Sequence, residues 1–317
     1  MENIGFFRLR SANQCLVDAQ TMPIPQQLYG SLVYEGEITI LVADTNVGKS
    51  IFAVQISNEI AKYQRVLYID LELSDKQFER RYSEDFTNHF CFEENLMRVD
   101  FTQHFSIPDN VTYDDYFIAS LVELIKRTEA SVVVIDNMTK LISTDTDSAG
   151  KAKPLMDRLC ALKMDFGLTL ILLEHTRKCD ASRPITLNDI QGSKMKVNFA
   201  DAVFAIGRSV KDTNLRYIKQ LKVRSCELEY GYENVAVCEI RKDSNFIKFE
   251  FVSYSSEAEH IKELDDEERE NRQQRAIEMH NRGVAKRNIA RELGVSEGAI
   301  RKWIKQNQVR TNAYTAY

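Results

Sequence analysis

Apolar and polar residues follow two rhythms along this chain, and the switch between them outlines most of its elements. Short continuous apolar runs occur at residues 38–42, 66–71, 131–136, 168–174 and 201–206. Between them lie stretches whose apolar positions recur every three or four residues, among them 51–63, 114–129 and 151–165. Runs of this length bounded by polar turns predict strands buried on both faces, and the longer period predicts helices packed over them. Strands alternating with helices in this order predict an α/β fold with a mostly parallel sheet. The helical period then stops. Residues 215–223, 233–241 and 245–252 are strand-like and separated by turn residues such as Gly231 and Asp243-Ser244, which predicts antiparallel strands closing one edge of the sheet.

The first run leads straight into candidate chemistry. It breaks into Ala43-Asp44-Thr45-Asn46-Val47-Gly48-Lys49-Ser50-Ile51 at the start of a predicted helix. A strand that ends in a loop and turns into a helix points successive backbone N–H groups, and the positive end of the helix, at one spot where phosphates can sit. The spacing follows G-x-x-x-x-G-K-[ST] except that Ala43 stands where the first glycine would be, and alanine tolerates left-handed backbone angles poorly. In this pattern Lys49 reaches the β- and γ-phosphates and the Ser50 hydroxyl ligates magnesium, so ATP and Mg2+ are the expected ligands.

Three later strand ends supply polar groups. The run Ser131-Val132-Val133-Val134-Ile135-Asp136 delivers a carboxylate to the sheet edge, where Asp136 can orient magnesium or its water; the plainer alternative is a cap on the next helix. In Tyr68-Ile69-Asp70-Leu71-Glu72-Leu73-Ser74 a parallel neighbour of the phosphate-loop strand brings Glu72 or Asp70 to the same edge, where a carboxylate can polarise an attacking water. The run ending Leu173-Glu174-His175-Thr176 offers His175 as a reporter on the γ-phosphate, or as a structural histidine.

At 317 residues, 44% hydrophobic and 28% charged, the chain is long enough for one large core and a small appended domain. It has no apolar run of about 18 residues and no secretory-type start, which leads us to expect a cytoplasmic protein without membrane association. Six cysteines, Cys15, Cys91, Cys160, Cys179, Cys226 and Cys238, are scattered without a C-x-x-C pair, as reduced thiols rather than metal ligands or a disulfide framework. The net charge of −5 hides a gradient from an acidic stretch, 257–270, to a strongly basic one, 272–310. That gradient divides the chain into a nucleotide-binding domain over 1–254, an acidic linker or exposed helix over 255–271, and a terminal domain over 272–317.

The order of phosphate loop, YIDLELS, VVVIDNM, LILLEHTRK and a later K-x-R resembles the RecA-fold P-loop ATPases, most closely the branch of RepA-type plasmid helicases and DnaB-type replicative helicases. The resemblance covers roughly residues 28–252. It implies a RecA-like core in which Glu72 is the catalytic base, Asp136 serves magnesium and His175 senses the γ-phosphate. It also implies a homo-oligomer such as a hexameric ring, with Lys222 and Arg224 as finger residues reaching a neighbouring subunit's nucleotide. The long polar segment 176–199 falls where such ATPases project a loop into the central channel, which makes Lys194 and Lys196 candidates to grip a single DNA strand.

The terminal domain has a pattern of its own. In KRNIARELGVSEGAIRKWIK, Ala290, Gly294 and Ile300 occupy the small, turn and apolar positions of a helix-turn-helix, with helices over 284–293 and 297–306 and Ser296 as N-cap. Ile277, Ile289, Leu293, Val295, Ile300 and Ile304 are its expected core, edged by Trp303. Arg287, Arg291, Arg301, Lys302 and Lys305 line the remaining surface, suited to phosphate contacts on duplex DNA; a protein-docking pair of helices is the alternative. Together these readings describe an ATP-hydrolysing, DNA-associated motor, a RepA-like ring helicase or accessory ATPase of a plasmid, phage or integrative element. The alternative is a DNA-bound regulatory or recombination-associated ATPase that uses ATP as an assembly switch without unwinding.

Overall fold

The computed structural model describes the chain except for residues 1, 6, 103–105, 142–148, 178–179, 192–193, 264–265, 294, 296 and 315–317. A nine-stranded sheet carries the architecture. Its strands are β1 (Ile38–Ala43), β2 (Val66–Asp70), β3 (Leu96–Val99), β4 (Val132–Asp136), β5 (Thr169–His175), β6 (Ala202–Arg208), β7 (Leu215–Lys222), β8 (Val235–Asp243) and β9 (Phe246–Ser255). They lie side by side as β9-β8-β7-β6-β1-β5-β4-β2-β3, parallel from β6 to β3 and antiparallel from β6 to β9. The phosphate-loop strand β1 is central, and β5 is inserted between it and β4. This is the order of a RecA-like core.

The helices over the sheet are α1 (Lys49–Ala61), α2 (Asp75–Arg81), α3 (Tyr113–Thr128), α4 (Ala149–Phe166) and α5 (Lys194–Phe199). Alternate residues of β1 feed two cores. Leu41 and Ala43 join Phe52, Ile56 and Ile60 of α1 on one face. Ile38, Ile40 and Val42 join Leu121 and Ile125 of α3 and Leu155 and Leu159 of α4 on the other. A strand covered on both faces has no solvent side, which is why ITILVA is a continuous apolar run. Each of these buried aliphatic side chains contributes about 1.5–3 kcal/mol relative to exposure. Where β6 pairs with β7, Gly207 lies opposite Tyr217, and a Cβ there would come within 2.1 Å of the tyrosine ring. Only glycine admits that approach.

Several elements lie outside the predicted set. β3 is a short edge strand, α2 has no buried residue, and the N-terminal segment forms a hairpin (Glu2–Ile4 with Phe7–Leu9) and a helix (Ala12–Ala19) that buries nothing. The acidic stretch also differs from a solvated linker at its start. Residues Glu257–His260 form a 3-10 turn in which Glu257 is fully buried, accepting from Lys219 and, at 2.8 Å, from the Ile185 N–H. His260 Nδ1 meets Ser209 Oγ at 2.8 Å.

Three helices follow, α6 (Asp266–Asn281), α7 (Lys286–Leu293) and α8 (Glu297–Tyr314). They pack around Ala276, Ile289, Ala290, Ile300 and Ile304, with Leu293, Val295 and Trp303 against that core. On α6 it is Ala276, not Ile277, that is fully buried. Among the described residues Cys15, Cys91, Cys160, Cys226 and Cys238 are free thiols, and no helix is long and apolar enough to cross a membrane.

Candidate nucleotide-binding site

The phosphate loop leaves β1 at Ala43, which is fully buried. Left-handed backbone occurs within the loop at Asn46 (φ 59°) and Gly48 (φ 107°) and not at Ala43, so alanine in the first glycine's place carries no backbone penalty. Gly48 is constrained twice. Besides its φ, a Cβ there would lie 2.8 Å from Ile240 Cδ1 and 2.9 Å from the Phe249 ring, because the β8–β9 hairpin presses on the loop. Asp44 accepts from the Thr45 N–H at 2.7 Å, and Val47 is buried beneath the loop. Lys49, Ser50 and Ile51 open α1, with Gly48 as its N-cap.

Parallel register then gathers the other strand ends. His175 lies beside Ala43, and Asp136 beside Asp70. Lys49 Nζ sits 3.1 Å from His175 Nδ1. An ammonium can only donate, so Nδ1 accepts that bond, and Nε2 is the ring nitrogen that faces Asn137 and Glu72. That nitrogen is 3.2 Å from Asn137 Nδ2 and 3.8 Å from Glu72 Oε1, and Asn137 Nδ2 itself donates to Glu72 Oε1. The Asn137 amide is thus the donor on that carboxylate oxygen, with the His175 ring alongside at 3.8 Å. His175, with Lys49 and Asn137, holds the Glu72 carboxyl below the usual range against the opposing effect of burial. Burial pushes the Lys49 ammonium down, opposed by the carboxylates of Asp136, Glu72, Glu174 and Asp44.

The alternative base, Asp70, is occupied. Its Oδ1 accepts from the N–H groups of Glu72 (3.1 Å) and Leu73 (2.9 Å), and its Oδ2 from Arg98 Nε at 3.0 Å. Asp136 is fully buried; Tyr68 donates to its Oδ2 at 2.8 Å, while Oδ1 has no hydrogen-bond partner among the described residues. Burial raises the Asp136 carboxyl above the usual range, with the hydroxyls of Ser50 and Tyr68 opposing. A buried carboxylate oxygen left open beside a serine hydroxyl fits a magnesium ion, which takes one or two protein oxygens and completes its shell with phosphates and water.

The remaining candidates separate. Lys222 is not free to act as a finger: its ammonium donates to the carbonyls of Val197 (2.8 Å) and Ala200 (2.6 Å), and burial lowers its pKa. Arg224 is exposed and bonded to Asp201 at 2.8 Å. Both lie at the edge where β1 begins, since Lys222 pairs with Val203 and Ala202 with Thr39, so neither approaches its own chain's phosphate loop. Lys196 is not a channel lysine. It is 1% exposed and ion-paired with the equally buried Glu174, beneath the segment rather than on it. The side chain of Lys194 and residues 192–193 lie outside the described residues. Arg287, Arg301, Lys302 and Lys305 are all exposed on α7 and α8, and Arg301 also bonds Glu297 at 2.6 Å.

Four residues of the site were not anticipated. Asn137 and Tyr68 flank the Asp136–Glu72 region; Arg208 and Arg216 donate to carbonyls of the phosphate loop. Asn137 follows the strand-terminal aspartate directly, which is a usable signal. The two arginines carry none, because their partner is a loop more than 160 positions earlier.

Known proteins can be set beside this geometry. A solved structure of a KaiC-like protein from the hyperthermophilic archaeon Pyrococcus horikoshii OT3 is 18% identical, with 68% of this chain and 90% of that one covered at a TM-score of 0.49. No curated protein matches the chain. The family model described as AAA domain (AAA_25) matches residues 8–181, more than half of the 317, and spans the phosphate loop, Glu72, Asp136 and His175. The chain therefore belongs to the AAA domain family and is a P-loop ATPase built on a RecA-like core.

Proposed function

We propose that this protein hydrolyses ATP at the edge where β1, β2, β4 and β5 end, and couples that cycle to DNA as a ring-forming motor of the helicase type. The observation that carries the reading is the run of side chains in close contact from Lys49 through His175 and Asn137 to Glu72, with Asp136 buried alongside. Lys49 is placed to neutralise charge on the β- and γ-phosphates. Glu72, its carboxyl held below the usual range and bonded by the Asn137 amide, suits the role of general base, worth roughly 10²–10⁴-fold in rate. In the step itself the water oxygen bonds to the γ-phosphorus, the bond from that phosphorus to the bridging oxygen breaks, the bridging oxygen leaves on ADP with the electron pair, and Glu72 takes the water proton. Ser50 and Asp136 would hold magnesium, whose charge lowers the cost of bringing anionic phosphates together. The exposed basic residues of α7 and α8 support duplex contacts through the terminal three-helix unit, and exposed Arg224 supports a role across a subunit boundary.

The test is a DNA-stimulated ATPase assay run beside strand displacement. Lys49→Ala should abolish ATP binding or turnover with the fold intact, while Glu72→Gln should keep ATP bound and stop hydrolysis. Wild-type turnover in Glu72→Gln would remove Glu72 as the base. Hydrolysis stimulated by DNA without displacement of a strand would move the assignment to the assembly-switch reading.

A further inference from the structure

Three consecutive carbonyls of the phosphate loop are held from outside by two arginines on neighbouring strands. Arg208 Nη2 donates to Thr45 O at 3.0 Å and to Asn46 O at 2.9 Å, and Arg216 Nε donates to Val47 O at 2.8 Å. Arg216 is buried and also donates to the carbonyls of Thr213 (2.7 Å) and Leu215 (2.8 Å), so its guanidinium is fixed in place. The two residues are direct cross-strand partners in β6 and β7. Like charges in that position repel. What offsets the repulsion here is the row of carbonyl oxygens that both side chains face.

The consequence follows from the planar peptide. The C=O of one residue and the N–H of the next belong to one rigid unit and point in opposite directions. Drawing the carbonyls of Thr45, Asn46 and Val47 outward therefore turns the N–H groups of Asn46, Val47 and Gly48 inward, which is the concave array that binds an anion. We infer that Arg208 and Arg216 are positioning residues that preorganise the phosphate loop and so set nucleotide affinity. They act through the backbone and not on the reacting phosphoryl group. Pre-forming the array removes an ordering cost that ATP binding would otherwise carry. The inference rests on the reading that this loop takes the nucleotide's phosphates.

The test uses the full chain, magnesium and a fluorescent ATP analogue. Arg208 is exposed, so Arg208→Ala should leave the fold intact. Its Kd should rise roughly tenfold or more, the scale of a charge-assisted hydrogen bond, with kcat at saturating ATP within about twofold of wild type. Amide hydrogen exchange at Asn46, Val47 and Gly48 should quicken. Arg208→Lys, which keeps the charge but lacks the fork, should fall between the two and serves as the measured variant should alanine unfold. An unchanged Kd in both variants overturns the inference, and so does a fall in kcat at unchanged Kd, which would put Arg208 on the phosphoryl group. Lys49→Ala run in parallel separates the two layers: analogue binding as tight as wild type there would sink the phosphate-loop reading itself.

Discussion

Asp136 is where the demands of the site and of the fold oppose each other. Burial raises its carboxyl above the usual range, and Asp70 and Glu72 add like charge. A carboxyl whose folded pKa is raised stabilises the fold at pH below its unfolded value, and that stabilisation is lost as pH rises through the folded value. At neutral pH the ionised form therefore weighs on the native state. Asp136→Asn, which still accepts from Tyr68, should raise Tm by a few degrees at neutral pH while losing magnesium-dependent turnover. The gain should vanish as pH falls to the ordinary carboxylate range near about 4, where wild-type Asp136 is protonated as well. A Tm at or below wild type at every pH would show that the surrounding hydroxyls already meet the charge. Glu72 runs the other way. Its carboxyl is held low by His175, Lys49 and Asn137, so the acid limb of kcat/KM against pH should lie below the ordinary glutamate range. Asn137→Ala removes one of those donors and should shift that limb upward; a limb that stays put would leave Asn137 with no influence on the base.

At the scale of elements, the buried ion pair between β5 and α5 is the most exposed to test. Glu174 and Lys196 are each 1% exposed, and burial raises the Glu174 carboxyl even with Lys196 opposing. Removing the cation alone strands a carboxylate in the core, so Lys196→Met should cost on the order of 3–5 kcal/mol in urea unfolding, much of it recovered by adding Glu174→Gln. Unchanged stability with lost single-strand affinity would return Lys196 to the channel. The same pair shows why some of the molecule could be read from sequence and some could not. β1, β2, β4 and β5 are covered on both faces, so burial writes itself as an unbroken apolar run, and the strand ends that carry Lys49, Glu72, Asp136 and His175 follow from that. β3 is half-buried throughout and α2 has no fully buried residue, its single apolar side chain, Phe78, being only partly covered, so neither has a periodic stripe to see. Lys196 and Glu257 read as solvated charges because charge pattern is local, whereas their partners, Glu174 and Lys219, lie 22 and 38 positions away.

At the scale of the whole molecule, two predictions separate assembly from DNA contact. Arg224 is exposed and remote from its own phosphate loop, so if it serves a neighbour, mixing Arg224→Ala with Lys49→Ala subunits should restore some hydrolysis, because one mixed interface joins an intact loop to an intact finger. No recovery in subunits shown to co-assemble would count against that role. The second prediction depends on where the chain is cut. Ending it near residue 255 would remove Glu257 and His260, leaving Lys219 without its carboxylate and Ser209 without its ring partner, and would damage the ATPase core. A chain ending at Glu263 keeps both contacts and also the bond from the Lys262 N–H to Ala181 O at 2.8 Å. It removes α6, α7 and α8, whose own core of Ala276, Ile289, Ala290, Ile300 and Ile304 is separate from the two cores of the sheet. That truncated protein should retain basal ATP hydrolysis but lose most duplex affinity, if Arg287, Arg301, Lys302 and Lys305 meet phosphates. In the full chain, log affinity should fall with log salt by roughly 0.9 for each phosphate neutralised. Duplex binding by the shortened chain with the same affinity and the same salt slope as the full chain would make the terminal helices a protein-docking unit and move the DNA contact onto the ATPase core.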